Sequence, residues 1–190
     1  MVNLQTSESS PMSRDQLRLS MQRAVATEML ICLALNRVCH ARGFRNVFFF
    51  VSWLGDGKFW YGLIASLPFL FGERGGAASL QMIKVGLLNL AVYHLIKGLA
   101  GRARPCAVEN SIMLGAAPLD RYSFPSGHTM HAVAFSTIAI AYVPQLAWIL
   151  MPLISFIALS RIVLGLHYPT DVLAGAVIGA LTASYIPRYL

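Results

Sequence analysis

The sequence predicts an all-α protein, a polytopic membrane helical bundle with about six transmembrane helices. Of its 190 residues, 56% are hydrophobic and only 12% are charged, whereas a soluble domain carries roughly 25% charged residues. The mean hydropathy is +0.60 over the whole chain, and 39 consecutive residues between Arg121 and Arg161 carry no charge. Because a soluble globule of this size must cover its surface with polar side chains, the composition argues against one.

The N-terminal residues differ from the rest of the chain. Residues 1–16 are polar and Ser-rich and contain no short apolar segment followed by a cleavage site, so they predict a mobile polar tail. Residues 17–190 are predicted to form one membrane-embedded domain, because six spans of about 20 residues each leave no room for a soluble module.

The first predicted span covers residues 17–35. It is the weakest of the six, because three charged residues interrupt it: Arg18, Arg23 and Glu28. The aromatic residues 47–54 follow and are predicted to lie at the membrane interface. They precede the turn formed by Gly55, Asp56 and Gly57.

The next spans are separated by turn residues. Residues 59–71 and 77–96 predict spans two and three on either side of a Gly-rich turn at residues 72–76. The charge-free run after Arg121 is long enough for spans four and five, broken at Pro144.

The last span lies between Asp171 and Arg188 and is rich in Ala and Gly. Gly175 and Gly179 are one helical turn apart, a spacing that predicts close helix packing. The only long polar connection is residues 102–124, between spans three and four, and long loops in compact proteins are often functional.

Three polar clusters break the apolar pattern at span ends. Lys97 and Arg104 are seven residues apart, nearly two helical turns, which favours one shared face. Ser126 is a good N-cap for span four, and the free amides of such a helix start attract anions. The third cluster runs from Arg161 to His167 and Asp171 and ends at a turn.

The predicted topology places all three clusters on one side of the membrane. Three cations and a helix N-terminus neutralise phosphate oxygens, one imidazole can attack phosphorus, and a second can protonate the leaving oxygen. Asp171 would hold the proton on the far nitrogen of His167 and so fix its tautomer. This phosphoryl-transfer scheme requires no metal ion and no cofactor.

The three clusters read Lys-x6-Arg-Pro, Pro-Ser-Gly-His and Ser-Arg-x5-His-x3-Asp, and all are complete. They resemble the three signatures of the type 2 phosphatidic acid phosphatase superfamily. The resemblance implies that His167 is the nucleophile, His128 the general acid and then base, and Asp171 the residue that orients His167. It also implies five phosphate-binding residues: Lys97, Arg104, Ser126, Gly127 and Arg161. Three further motif residues would support them: Ser160, Pro105 and Pro125.

This resemblance implies a metal-independent membrane lipid phosphatase working through a phosphohistidine. Its substrate would be a lipid phosphate monoester or pyrophosphate, such as phosphatidic acid, phosphatidylglycerophosphate, undecaprenyl pyrophosphate or lipid A. The individual lipid and the oligomeric state stay open. The alternatives are a lipid phosphotransferase using the same histidine and a non-enzymatic anion-binding membrane protein. The net charge of +7 is ordinary for membrane-protein loops and predicts no nucleic-acid partner.

Several further polar residues have weaker interpretations. Loop charges are candidates for substrate recognition, with solvated surface charge as the alternative: Asp56, Arg102, Glu109, Asp120 and Arg121. His94 and His131 are predicted to support or pack beside the catalytic groups. The cysteines are predicted to fill apolar space, and pairing of Cys39 with Cys106 stays open.

Basic residues do not settle the orientation, because five fall on each side of the predicted topology. The resemblance implies a bacterial inner membrane location with the site facing the periplasm or exterior.

Overall fold

The computed structural model describes residues 13–185 and is helical throughout its main elements. The all-α prediction is therefore confirmed. In chain order, the elements are α1 (Arg14–Asn36), a 3-10 helix (Arg37–His40), α2 (Arg42–Leu54), α3 (Lys58–Ala100), α4 (Pro105–Val108), α5 (Gly127–Tyr142), a second 3-10 helix (Pro144–Leu146), α6 (Ala147–Val163) and α7 (Pro169–Tyr185).

Helix α1 begins earlier than the sequence predicted. The Ser13 hydroxyl accepts a hydrogen bond from the Gln16 amide at 3.2 Å, and the Gln16 side chain accepts one from the Ser13 amide at 3.0 Å. This reciprocal pair is a capping box, which fixes a helix start. Residues 14–16 of the predicted tail are thus helical, and residues 1–12 lie outside the described residues.

Helix α3 is a hairpin of two antiparallel arms. Gly72 has φ 56° and ψ −134°, a conformation that only glycine adopts readily. The Ser79 hydroxyl donates to the Ile64 carbonyl at 2.6 Å, although a straight helix would separate these residues by roughly 22 Å. The arms, residues 58–71 and 73–100, correspond to predicted spans two and three. The predicted turn at residues 72–76 is confined to Gly72, because residue 73 onward is already helical.

Within residues 13–185, two segments are long and apolar enough to cross a membrane: Lys58–Val108, which contains both arms of α3, and Pro144–Val163. The pair α1 and α2, bent by 113°, supplies a third if it counts as one span. Helices α5 and α7 have 16 and 17 residues, a little under the roughly 20 of a full span. The chain therefore has the predicted membrane bundle, built from α1, both arms of α3, α5, α6 and α7. Phe44 and Phe50 of α2 are 62% and 56% exposed, as expected at an interface.

Helices α5 and α7 approach each other closely at two glycines. A Cβ atom on Gly175 would lie 2.5 Å from the Ser126 carbonyl oxygen, and one on Gly179 would lie 2.3 Å from that of Met130. Such distances are far inside van der Waals contact, so only glycine permits this approach. The predicted close packing at these two glycines is confirmed.

The loop between α4 and α5 is fastened across one end of the bundle. Asn36 donates to the carbonyls of Met113 and Val163, each at 2.8 Å, and accepts from the Met113 amide. The Gly115 amide donates to the Leu164 carbonyl at 3.1 Å. These bonds bring α1, α6 and the loop together beside the end of α3.

We expect Gly179→Ala to destabilise the bundle by about 1–3 kcal/mol, the usual range for overpacking a tight contact. Gly62→Ala is the matched control, because a Cβ there meets nothing within 4 Å and alanine favours a helix. Thermal unfolding of both variants in detergent measures the difference. Equal unfolding temperatures for the two variants would contradict the close contact.

Candidate active site

Arg104 links the end of α3 to the turn between α6 and α7. It occupies the N-cap of α4, where buried Pro105 takes the first helical position as proline favours. Its Nη1 donates to the Leu166 carbonyl at 2.8 Å and lies 3.2 Å from Nε2 of His167. Two of the three predicted clusters therefore meet at one guanidinium group.

His167 lies in the turn after α6 and is 2% exposed. A guanidinium group has only donors, so Nε2 of His167 accepts from Arg104, and the proton of a neutral ring is on Nδ1. Burial, followed by the positive charges of Arg161 and Arg104, lowers the pKa of His167 well below its ordinary value. The imidazole is therefore neutral, with its Nε2 lone pair directed toward the cations.

Asp171 lies beside His167 without a hydrogen bond to it. Its Oδ2 is 3.7 Å from Nδ1 of His167, which is too long for such a bond. Oδ2 accepts instead from the Tyr168 amide at 2.8 Å, and Oδ1 accepts from Arg102 at 2.7 Å. Within the described part of the chain, Nδ1 of His167 has no hydrogen-bond partner.

Arg102, a predicted candidate for substrate recognition, forms an internal ion-pair network. Its Nη2 lies 2.6 Å from Oε2 of Glu28, and its Nη1 pairs with Asp171. The guanidinium also stacks 3.9 Å from the ring centre of Tyr168. Glu28, which interrupts the apolar pattern of α1, accepts from the Thr170 amide at 2.9 Å. The charge in the first span thus has a partner at the start of α7.

His128 pairs with a carboxylate whose role the sequence did not reveal. Its Nε2 is hydrogen-bonded to Oδ1 of Asp56, in the turn between α2 and α3. Burial opposes ionisation of Asp56, but the His128 hydrogen bond and the charges of His128 and Arg161 outweigh it and lower the pKa of Asp56. The one available signal was an aspartate between two glycines directly after an aromatic helix.

Arg161 and the start of α5 complete the arrangement. Arg161 is 3% exposed; its Nη1 donates to the Ser52 hydroxyl, and its Nε has no partner among residues 13–185. Ser126 occupies the predicted N-cap of α5, and its amide donates to the Asp171 carbonyl at 3.0 Å. Its hydroxyl, however, pairs with Thr129 at 3.0 Å rather than with a backbone amide. The adjoining Gly127 faces the Tyr93 ring, which a Cβ would approach to 2.7 Å.

Asp120, from the loop, reaches the remaining predicted cation. Its carboxylate lies 2.9 Å from Nζ of Lys97 and 2.8 Å from Nη2 of Arg104. The Tyr93 hydroxyl also donates to it. Burial opposes ionisation, but hydrogen bonds from Lys97 and Tyr93 lower the pKa of Asp120. Asp120 is therefore an ionised part of the cluster.

The other predicted residues have local partners. Ser160 donates to the Ile157 carbonyl at 2.6 Å, and Pro125 is buried directly before Ser126. Glu109 accepts from Ser111, and exposed Arg121 lies 5.8 Å from the Tyr122 ring centre. Of the two predicted supporting histidines, His131 is bonded to the Gly127 carbonyl, whereas His94 is exposed. Cys32, Cys39 and Cys106 are free thiols.

Two cavities meet at His128. The larger, about 640 Å³, lies between the arms of α3 and α5, and its mainly apolar lining includes Trp60 and Met82. The smaller, about 200 Å³, is lined by Asp56 and Arg161 as well as His128. His128 and Asp56 thus line both cavities, and Arg161 lines the smaller one.

We expect Arg102→Gln to destabilise the protein by about 3 kcal/mol, because it leaves buried Asp171 without its ion partner. Arg121→Gln removes the same charge from an exposed position and should change stability by less than about 0.5 kcal/mol. Thermal unfolding in detergent compares the two. Unfolding of both variants at the wild-type temperature would contradict a stabilising role for the Arg102 ion pairs.

Comparison with known proteins gives a consistent family. Residues 79–190 match the PAP2 superfamily. Lipid A 1-phosphatase of Rhizobium johnstonii is 33% identical over 91 residues, covering 46% of this chain and 37% of that protein. Decaprenylphosphoryl-5-phosphoribose phosphatase of Mycolicibacterium smegmatis is 37% identical over 83 residues, 43% of each chain. The chain therefore aligns with less than half the length of these two relatives.

The fold is also that of a solved structure. The transmembrane PAP2 type phosphatidylglycerolphosphate phosphatase from Bacillus subtilis superposes with a TM-score of 0.68 at 23% identity, covering 86% of this chain and 84% of that one. The family match covers more than half of the chain and includes all three motifs. With its helices arranged as in that structure, the chain belongs to the PAP2 superfamily.

Proposed function

We propose that this protein is a membrane lipid phosphatase that hydrolyses a phosphate monoester or pyrophosphate through a phosphohistidine at His167. The observation that carries the proposal is the 3.2 Å contact between Arg104 and Nε2 of the buried, neutral His167. It puts a nucleophilic nitrogen directly beside a guanidinium that can bind phosphate, so a phosphate that takes the place of this hydrogen bond lies next to the attacking lone pair.

In the first step, a bond forms between His167 Nε2 and phosphorus while the bond from phosphorus to the lipid oxygen breaks. His128 gives its proton to that oxygen, as a general acid. Asp56 is suited to support this role, because a carboxylate next to an imidazole stabilises its protonated form. In the second step, water attacks phosphorus and gives a proton to His128, and the nitrogen–phosphorus bond breaks to release phosphate.

The apolar chamber supports a lipid as the substrate. It begins at His128 and continues between hydrophobic side chains such as Ile64 and Leu87, so an acyl or prenyl tail fits there while the phosphate faces the cations. The relatives and the matched structure are named for different lipid phosphates. These names support the lipid phosphate class rather than one headgroup.

The test is phosphate release by the detergent-purified chain from phosphatidic acid, phosphatidylglycerophosphate, undecaprenyl pyrophosphate and lipid A, without an added acceptor. We expect release by the wild type and none by His167→Ala, which lacks the nucleophile. Asp56→Asn should remain folded but lose about 10²-fold to 10⁴-fold in kcat, as expected when a catalytic imidazole loses its carboxylate partner. Asp171→Asn removes a negative charge 3.7 Å from Nδ1 of His167 and should also lower kcat.

Vanadate, which mimics five-coordinate phosphorus, should inhibit, whereas EDTA should not. Full activity of His167→Ala would overturn the assignment of the nucleophile, and EDTA sensitivity would indicate a metal-dependent reaction. Turnover of the lipid only after an alcohol acceptor is added, with the phosphoryl group transferred to the alcohol and no phosphate released, would make the protein a phosphotransferase.

We also place the protein in a bacterial inner membrane with the site facing the periplasm. Leu119, which lines both cavities, is 75% exposed and suits a labelling test. In a Cys106→Ser background, Leu119→Cys should react with a membrane-impermeant maleimide in spheroplasts. Labelling only after the membrane is permeabilised would reverse the orientation.

A further inference from the structure

The Asp120 carboxylate accepts from the same cationic side chains, Lys97 and Arg104, that are proposed to bind phosphate. It contacts Nζ of Lys97 and Nη2 of Arg104 at 2.9 and 2.8 Å. Its backbone carbonyl also accepts from Nε of Arg104 at 3.1 Å. No other ion pair joins either cation to a carboxylate within residues 13–185.

The position of a reacting phosphate is restricted by His167. In-line attack requires phosphorus about 3–3.5 Å from the nucleophilic nitrogen, and Arg104 Nη1 is itself 3.2 Å from that nitrogen. A phosphate at this position lies against the guanidinium of Arg104. The phosphate oxygens would then bind the Arg104 nitrogens Nη2 and Nε, which now contact Asp120. Two anions bound to one guanidinium and one ammonium repel each other.

We propose that Asp120 is an internal competitor for phosphate, whose carboxylate must leave Lys97 and Arg104 before substrate or product phosphate binds. The proposal rests on the proposed phosphate site at His167. It assigns Asp120 a role opposite to substrate recognition, because its charge weakens the binding of every anion at these two cations.

The loop around Asp120 permits this exchange. The backbone is fastened on one side by Gly115 and on the other by Ser123, whose amide donates to the Arg102 carbonyl at 2.8 Å. Between these anchors the Asp120 side chain is 30% exposed, and the neighbouring Leu119 and Arg121 face outward. The carboxylate can therefore move away without unfolding a helix.

A competitor of this kind changes binding rather than the chemical step. Phosphate monoester and inorganic phosphate must both displace Asp120, so both bind more weakly by the same factor. Weakened binding of product aids its release, and a ground-state effect of this type alters KM while leaving kcat nearly unchanged.

The experiment is thermal unfolding of the full chain in detergent with increasing inorganic phosphate, for the wild type and Asp120→Asn. We expect the variant to unfold at a lower temperature without phosphate, because two buried cations lose their counter-charge. Phosphate should then raise its unfolding temperature more, with a Kd about tenfold lower than for the wild type. In the kinetic assay, KM for the lipid and Ki for phosphate should fall by the same factor.

Two further variants separate competition from simple structural support. Tyr93→Phe removes the hydroxyl that donates to Asp120, so it should tighten phosphate binding in the same direction by a smaller factor. Glu73→Gln removes a carboxylate about 24 residues from Lys97 on the same arm of α3, roughly 36 Å away along a helix, and should leave the Kd unchanged.

In one outcome, the wild type responds to phosphate while Asp120→Asn binds it more weakly or equally well. That result would contradict the proposed competition and show that Asp120 only stabilises the position of the two cations. If neither protein responds to phosphate, the phosphate site itself is wrong, and the proposed function fails with it. Binding by the wild type without turnover of any lipid would contradict the proposed function alone.

Discussion

The site depends on holding three positive charges together inside an apolar bundle. Lys97, Arg104 and Arg161 are each less than a tenth exposed, and like charges brought out of water repel strongly while losing their hydration. Their arrangement is stable only because other groups face them. The carboxylate of Asp120, the carbonyl of Leu166 and the hydroxyl of Ser52 accept from them. Three clustered cations attract anions electrostatically, and the groups that face them offset part of that attraction.

The same electrostatic constraint organises the two histidines. His167 lies among the cations and is kept neutral, while His128 is placed next to Asp56 and can carry a charge. The two imidazoles thus have different electrostatic surroundings, since a carboxylate contacts His128 whereas a guanidinium contacts His167. The geometry comes from the close contact of α5 and α7, which places the Ser126 amide on the Asp171 carbonyl.

Local signals predicted much of this structure. The turn at Gly72, the close approach at Gly175 and Gly179, and the gathering of the three motif segments all follow from residue types and spacing. The sequence did not reveal which charge pairs with which, because ion pairs join residues far apart in the chain. Glu28 and Arg102 are separated by 74 positions, and Asp56 and His128 by 72. Their pairing depends on how α1 and α2 pack against the motif helices, and no local pattern encodes that packing.

The partners that complete the site come from the part of the chain that precedes the family match. That match begins at residue 79, yet Glu28, Ser52 and Asp56 supply the groups that face Arg102, Arg161 and His128. The segment that matches the family is thus shorter than the part of the chain that contributes side chains to the candidate site. A fragment of residues 79–190 alone would keep every motif but would lose one partner of each of these pairs, including the carboxylates of Glu28 and Asp56.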